Sequence, residues 1–297
     1  MIIFAAILLL SAQLTEVSRG SAQTRKRRRP AAAVRKKPAA KAVVKADPVE
    51  SAVAAVCRER IRDPQGTIPI DVMAMQPPLP LTDPRVAEGK RRAERLLPVA
   101  KRLVPFALSR LAAAYNLEPL SLIWIASRAG AVDTIRAEVE SRDNAAWRPD
   151  DPRAIIFGTV FLAGLRSDEA MISVLAHELT HAVNGTDQAL QPLQARLGAR
   201  ASELRGSPVG AGMAGELTSE MVGIQVLRDY AGHSSKGGAL RRRLARALGK
   251  DCVRLDLADL HHLSPRETMR MLLKLDPNLA GAFTGTGGAK RAKKRRR

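Results

Sequence analysis

Apolar and polar positions divide this chain into long stretches of helical spacing and two short apolar runs. Between Pro84 and Tyr115, apolar side chains recur at Leu96, Leu97, Ala100, Val104 and Leu108, which is one face of a helix. Pro98 and Pro105 fall inside this pattern, so it predicts two helices or one kinked helix. Residues 119–127 (PLSLIWIAS) and 154–162 (AIIFGTVFL) read as buried strands, with a polar loop at Arg148–Asp151 between them. Ser167 then reads as an N-cap, with Asp168 and Glu169 in the first turn. The helix it opens runs through Val174, Leu175, Leu179 and Ala182 and stops at Asn184-Gly185.

Further helices are expected over Ala52–Ile61, Ala214–Tyr230 and Gly238–Leu248, and from Ser264 onward. At Ser264 the run Ser-Pro-Arg-Glu is a capping box with proline at the first helical position. Residues 64–84, rich in Pro and Asp, read as a loop. Residues 186–212 read as a short helix over Gln188–Leu204 leading into a Gly-rich stretch, placed to cover a site. There is no internal repeat. The pattern predicts an α+β fold, mostly helical with a small β-sheet, over residues 85–280, preceded by a linker or pre-domain segment at 51–84.

Charge changes the picture at the ends. The formal net charge is +20, but residues 25–45 carry ten Lys or Arg and residues 290–297 carry seven, with no acid in either. The rest of the chain holds only about +3, so the basic character belongs to the tails and not to the fold. Residues 23–50, built from Ala, Pro, Lys and Arg, have too little to bury and are expected to be disordered. Residues 281–297 read as a second basic tail. Anionic lipid, cell-wall polymer or nucleic acid are the partners such segments could contact. The basic runs lack the interleaved aromatics of a base-stacking surface.

Ile2–Ala12 is apolar but too short to span a bilayer, and Gly20, Ser21 and Ala22 follow it. Residues 1–22 therefore read as a signal peptide, although no Lys or Arg precedes the apolar run. Export to the periplasm or the extracellular space is expected, with no transmembrane helix after signal removal. Cys57 and Cys252 fit either one disulfide or two free thiols, and their spacing is not that of a cysteine metal site.

The candidate chemistry sits in the helix after Ser167. His177-Glu178-Leu179-Thr180-His181 is an HExxH pattern inside an apolar helical run. Residues i and i+4 share a helix face, so the two imidazoles can bind one Zn²⁺. Glu178 lies about 100° around the helix from His177. From there it can take a proton from water that the metal has activated. A third protein ligand is needed. The best-placed acid is Glu216, 35 residues after His181 and early in the next expected helix, with Asp229 and Glu203 as alternatives. Glu220, one turn on, can accept a hydrogen bond from the back nitrogen of a ligand histidine or pair with Arg228.

The stretch 155–184 (IIFGTVFLAGLRSDEAMISVLAHELTHAVN) resembles the CaaX prenyl protease and HtpX-like gluzincin metallopeptidases. In that family the third ligand is the Glu of an ExxAD motif. Glu216-Leu217-Thr218-Ser219-Glu220 is similar to it, with Ser219 for Ala and Glu220 for Asp. The resemblance covers roughly residues 117–230 and implies a zincin-like zinc endopeptidase acting on a protein or peptide, of the soluble kind. It implies that the strand at 155–162 offers an edge to the substrate. It also implies a later side chain that stabilises the oxyanion, for which His233, Tyr230, His261 and His262 are the candidates. The alternatives from other classes are a polyanion-binding protein with a structural zinc site and a non-catalytic envelope chaperone or assembly factor.

Overall fold

Asp47, Asp83, Ser121 and Ser167 each precede a helix and accept a hydrogen bond from its first turn, at Val49, Arg85, Trp124 and Ala170 respectively. Each satisfies an amide that the helix leaves without a partner. The computed structural model describes residues 47–139, 144–232, 238–255, 258–260 and 262–284. The expected signal peptide, most of the basic arm, nearly all of the basic tail, His233 and His261 lie outside the described residues. In chain order the elements are α1 (Pro48–Arg62), α2 (Ile70–Ala74), α3 (Pro84–Ala114), α4 (Leu122–Ala131), β1 (Thr134–Glu138), β2 (Ala145–Arg148) and β3 (Asp151–Gly158). There follow α5 (Thr159–Gly164), α6 (Asp168–Asn184), α7 (Gln191–Arg205), α8 (Ala211–Gly232), α9 (Gly238–Leu248), a 3₁₀ turn (Gly249–Asp251), α10 (Pro265–Leu275) and α11 (Pro277–Thr284). The fold is mostly helical with one small sheet, as the pattern predicts.

Three local expectations are corrected. Residues 119–127 form no strand: Ser121 caps α4, and only Ile125 and Ala129 of that helix are deeply buried, one turn apart. Ile123 is 84% exposed, so the run presents one buried face rather than two. The run at 154–162 is split, with β3 ending at Gly158 and α5 beginning at Thr159. Finally, β3 is no edge strand. It lies between β1, parallel to it, and β2, antiparallel to it. The free edge on the α6 side is β2, which packs against that helix.

Helix α3 is continuous through both prolines. Pro98 is exposed, so water can satisfy the carbonyl that its missing amide leaves. Pro105 is buried within an apolar face running from Val86 to Ala112, which packs on α4, α5, α6 and α8. Burial of that face outweighs the lost hydrogen bonds. The segment 51–84 forms most of α1 and all of α2, so residues 64–84 are not wholly the loop that their Pro and Asp content predicts. Helix α1 packs on α9, α10 and α11, and Cys57 is bonded to Cys252 beyond the 3₁₀ turn. No described helix is long and apolar enough to cross a membrane.

Helices α6 and α8 run antiparallel in close contact. The closeness depends on Gly223, where a Cβ would stand 2.8 Å from the Ser173 carbonyl oxygen and 3.1 Å from its hydroxyl. Backbone cannot yield there without moving a helix. Gly223→Ala should therefore destabilise the fold by about 1–3 kcal/mol despite alanine's better helix propensity. Chemical denaturation measures this, and a neutral or stabilising result would show that the helix pair tolerates separation.

Candidate metal centre

Helix α6 places His177 and His181 on one face, and α8 brings Glu216 to them from the opposite wall. His177 Nε2 is 3.0 Å from His181 Nε2 and 3.2 Å from Glu216 Oε2, and His181 Nε2 is 3.6 Å from the same carboxylate oxygen. A tetrahedral metal with bonds of about 2.1 Å holds its donors roughly 3.4 Å apart. The three separations bracket that value, so the donor set fits a zinc ion in both chemistry and spacing. The alternative third ligands are engaged elsewhere, Asp229 with Arg110 and Glu203 with Arg200.

The electrostatics suit a cation. Burial opposes a charged imidazole at His177, but the Glu216 hydrogen bond and the Glu178 and Glu220 carboxylates outweigh it and raise its pKa to about 9. Burial likewise opposes charge on Glu216, yet His177, His181 and His262 hold its carboxyl well below the usual range.

Glu178 is almost completely buried, and burial raises its pKa. Its Oε2 accepts a hydrogen bond from the Trp147 amide of β2 at 2.9 Å, while Oε1 lies 3.9 Å from His177 Nε2. The sheet thus orients the acid that the helix presents. Glu220 stands behind His177, with Oε1 at 3.6 Å from Nδ1, just beyond hydrogen-bond reach. Nδ1 is buried and has no hydrogen-bond partner. Arg228 bonds Asp276 instead of Glu220, and Glu220 accepts from Lys250 at 3.0 Å.

A cavity of about 550 Å³ opens on this cluster, and its lining includes Asn144, Ala145, His177, Glu178, Glu216 and His262. Of the candidate later side chains, the structure brings His262 to it. His262 Nε2 is 3.5 Å from Glu216 Oε2, and Nδ1 is 3.0 Å from both oxygens of Asp259. Tyr230 is not there. Its hydroxyl donates to Asp168 at 3.2 Å, at the opposite end of the α6–α8 pair. Nor does α7 line the cavity; residues from 258 to 268 take that place. Lys250, Asp251 and Asp259 were not anticipated. The Asp259-x-x-His262 spacing was a readable signal, but Lys250-Asp251 has none.

Family models, curated proteins and solved structures yield no match to this chain.

The donor set predicts one zinc per chain in the wild type after dialysis, measured by elemental analysis. His177→Ala and Glu216→Ala should each weaken binding by more than the roughly 10–100-fold that losing an outer hydrogen-bond partner costs. Full retention in Glu216→Ala would remove that carboxylate from the ligand set.

Proposed function

We propose that this chain is a zinc-dependent metallopeptidase of the HExxH gluzincin type, with a zincin-like catalytic domain. The observation that carries the reading is the convergence of three ligand-type atoms beside a buried, oriented carboxylate. A structural metal site has no use for Glu178. Zinc held by His177, His181 and Glu216 would polarise the scissile carbonyl and lower the pKa of the attacking water.

With zinc so held, Glu178 would take a proton from the attacking water as its oxygen adds to the carbonyl carbon. Burial raises the proton affinity of this carboxylate, which suits it to the task. The Trp147 amide keeps one oxygen fixed and leaves the other for proton transfer. The same proton then passes to the departing amine as the C–N bond breaks. His262 faces the cluster from the other side of the cavity, with Asp259 fixing Nδ1 so that Nε2 is turned toward Glu216. It donates to the carbonyl oxygen as negative charge develops there. The substrate main chain lies along the free edge of β2, where Asn144 and Ala145 line the cavity.

Export fits this reading, because the Cys57–Cys252 disulfide is a bond of oxidising compartments.

Glu178→Gln should keep its zinc while hydrolysis of a denatured protein substrate falls by about 10²–10⁴-fold. Unchanged hydrolysis would remove Glu178 from the mechanism, and absence of hydrolysis in zinc-loaded wild type would overturn the reading. His262→Ala should lower kcat by roughly 10²–10³-fold with little change in KM. A change confined to KM would make His262 a substrate-binding residue instead.

A further inference from the structure

The cavity that holds the ligand cluster is also lined by charged side chains on the Nδ1 side of His177. That part of the lining holds buried polar groups, Ser173, Lys250 and Asp251, together with Glu220. Lys250 Nζ donates to Glu220 Oε1 at 3.0 Å and to Asp251 Oδ1 at 3.3 Å. Two carboxylates thus share one ammonium, which leaves the group with a formal charge of −1. Asp251 Oδ2 is buried and has no hydrogen-bond partner.

A buried carboxylate oxygen without a donor is costly, and native structures seldom leave one so. Burial pushes the Asp251 carboxyl up to about 7, although the Lys250 ammonium draws it the other way. A second cation would relieve both conditions. The walls leading there include Val174, Leu217 and Leu263, which suit the methylene stem of a long side chain. The group adjoins the ligand cluster through His177, which turns Nε2 to Glu216 and Nδ1 toward Glu220.

We propose that this end of the cavity is a side-chain pocket that selects a basic residue, lysine or arginine, next to the bond cleaved. The residues that build it are Asp251, Glu220 and Lys250, and the incoming cation takes the free oxygen of Asp251. Lys250 sets selectivity by neutralising one of the two acids, so the pocket accepts a single positive charge. That a bond is cleaved beside the pocket rests on the peptidase reading; the pocket's preference for a cation does not.

The test uses matched peptides that carry lysine, its neutral isostere norleucine, or glutamate at one position, scanned across both sides of the cleaved bond. Wild-type kcat/KM should favour lysine over norleucine by at least about tenfold at one flanking position, with glutamate poorest. In Asp251→Asn the lysine-to-norleucine ratio should fall toward one. Binding of the same peptides to Glu178→Gln, followed by fluorescence anisotropy, reads the preference without turnover and should show the same order. Equal cleavage of lysine and norleucine peptides at every position overturns the pocket and leaves the peptidase standing. A lysine preference in binding, with no cleavage by wild type, keeps the pocket and overturns the peptidase. Undiminished preference in Asp251→Asn overturns the assignment to Asp251. The wild-type ratio decides the matter even if that variant fails to fold.

Discussion

The close antiparallel contact of α6 with α8 is what the rest of this structure depends on. Ser173 and Gly223 mark its tightest point, where no Cβ fits. His177 and His181 follow Ser173 by one and two turns, while Glu220 and Glu216 precede Gly223 by about one and two turns. Both sets share the facing stripe of their helix, as the spacing requires. The backbone distance at Gly223 therefore sets the distance between histidines and carboxylates. Donor separations of 3.0–3.6 Å leave little room for a wider pair of helices. At the far end of the same seam, Tyr230 bonds Asp168 beside the α6 N-cap. A residue that sequence reasoning considered for chemistry is thus an anchor of the helix pair.

Burying charge around α6 requires partners, and those come from the C-terminal part of the chain. Glu169 is buried one residue into the helix and bonds Arg243 at 2.6 Å, with Arg246 at 3.5 Å. Arg246 also bonds Asp63, just past α1. Two turns further along the seam, Lys250 serves Glu220 in the same way. Paired charges of this kind specify geometry more than they stabilise, since desolvation offsets much of the attraction. Stability at this corner has another source. The Cys57–Cys252 bond spans 195 residues and joins α1 to the turn carrying Lys250 and Asp251. Bonds of this kind typically contribute about 2–5 kcal/mol, by models that restrict the unfolded chain.

The legible part of the site was local in sequence. HExxH places two imidazoles and an acid by helix periodicity alone, and Glu216 followed from being the first acid of the helix expected over Ala214–Tyr230. The longer helices were legible for the same reason, their apolar stripes being contiguous, whereas α2 lay in a segment read as a loop and α4 and α5 in runs read as strands. The sheet was not. β1 and β2 are five and four residues long, and the runs TIRAE and AAWR carry no strong alternation. Their pairing is set by β3, whose burial rises to complete from Ala154 onward. The apolar run at 119–127 looked more strand-like than either because Leu, Ile and Trp serve a half-buried helix equally well. Lys250 and Asp251 were invisible because their meaning lies in what α8 and Cys57 bring to them across the fold.

The small sheet has a role that its size conceals. A glutamate beside two histidines on one helix can pair with them and lose its freedom as a base. Here Glu178 Oε1 stays 3.9 Å from His177 Nε2, beyond hydrogen-bond reach, while Oε2 takes the Trp147 amide. That amide is free because β2 is an edge strand and Trp147 turns its N–H away from β3 toward the helix. A helix pair alone would supply the ligands. Adding one sheet edge holds the acid apart from the two imidazoles and fixes the direction of its second oxygen. Under the proposed peptidase reading the same edge is where an extended peptide would add to the sheet, so one strand would both orient the base and align the bond it acts on.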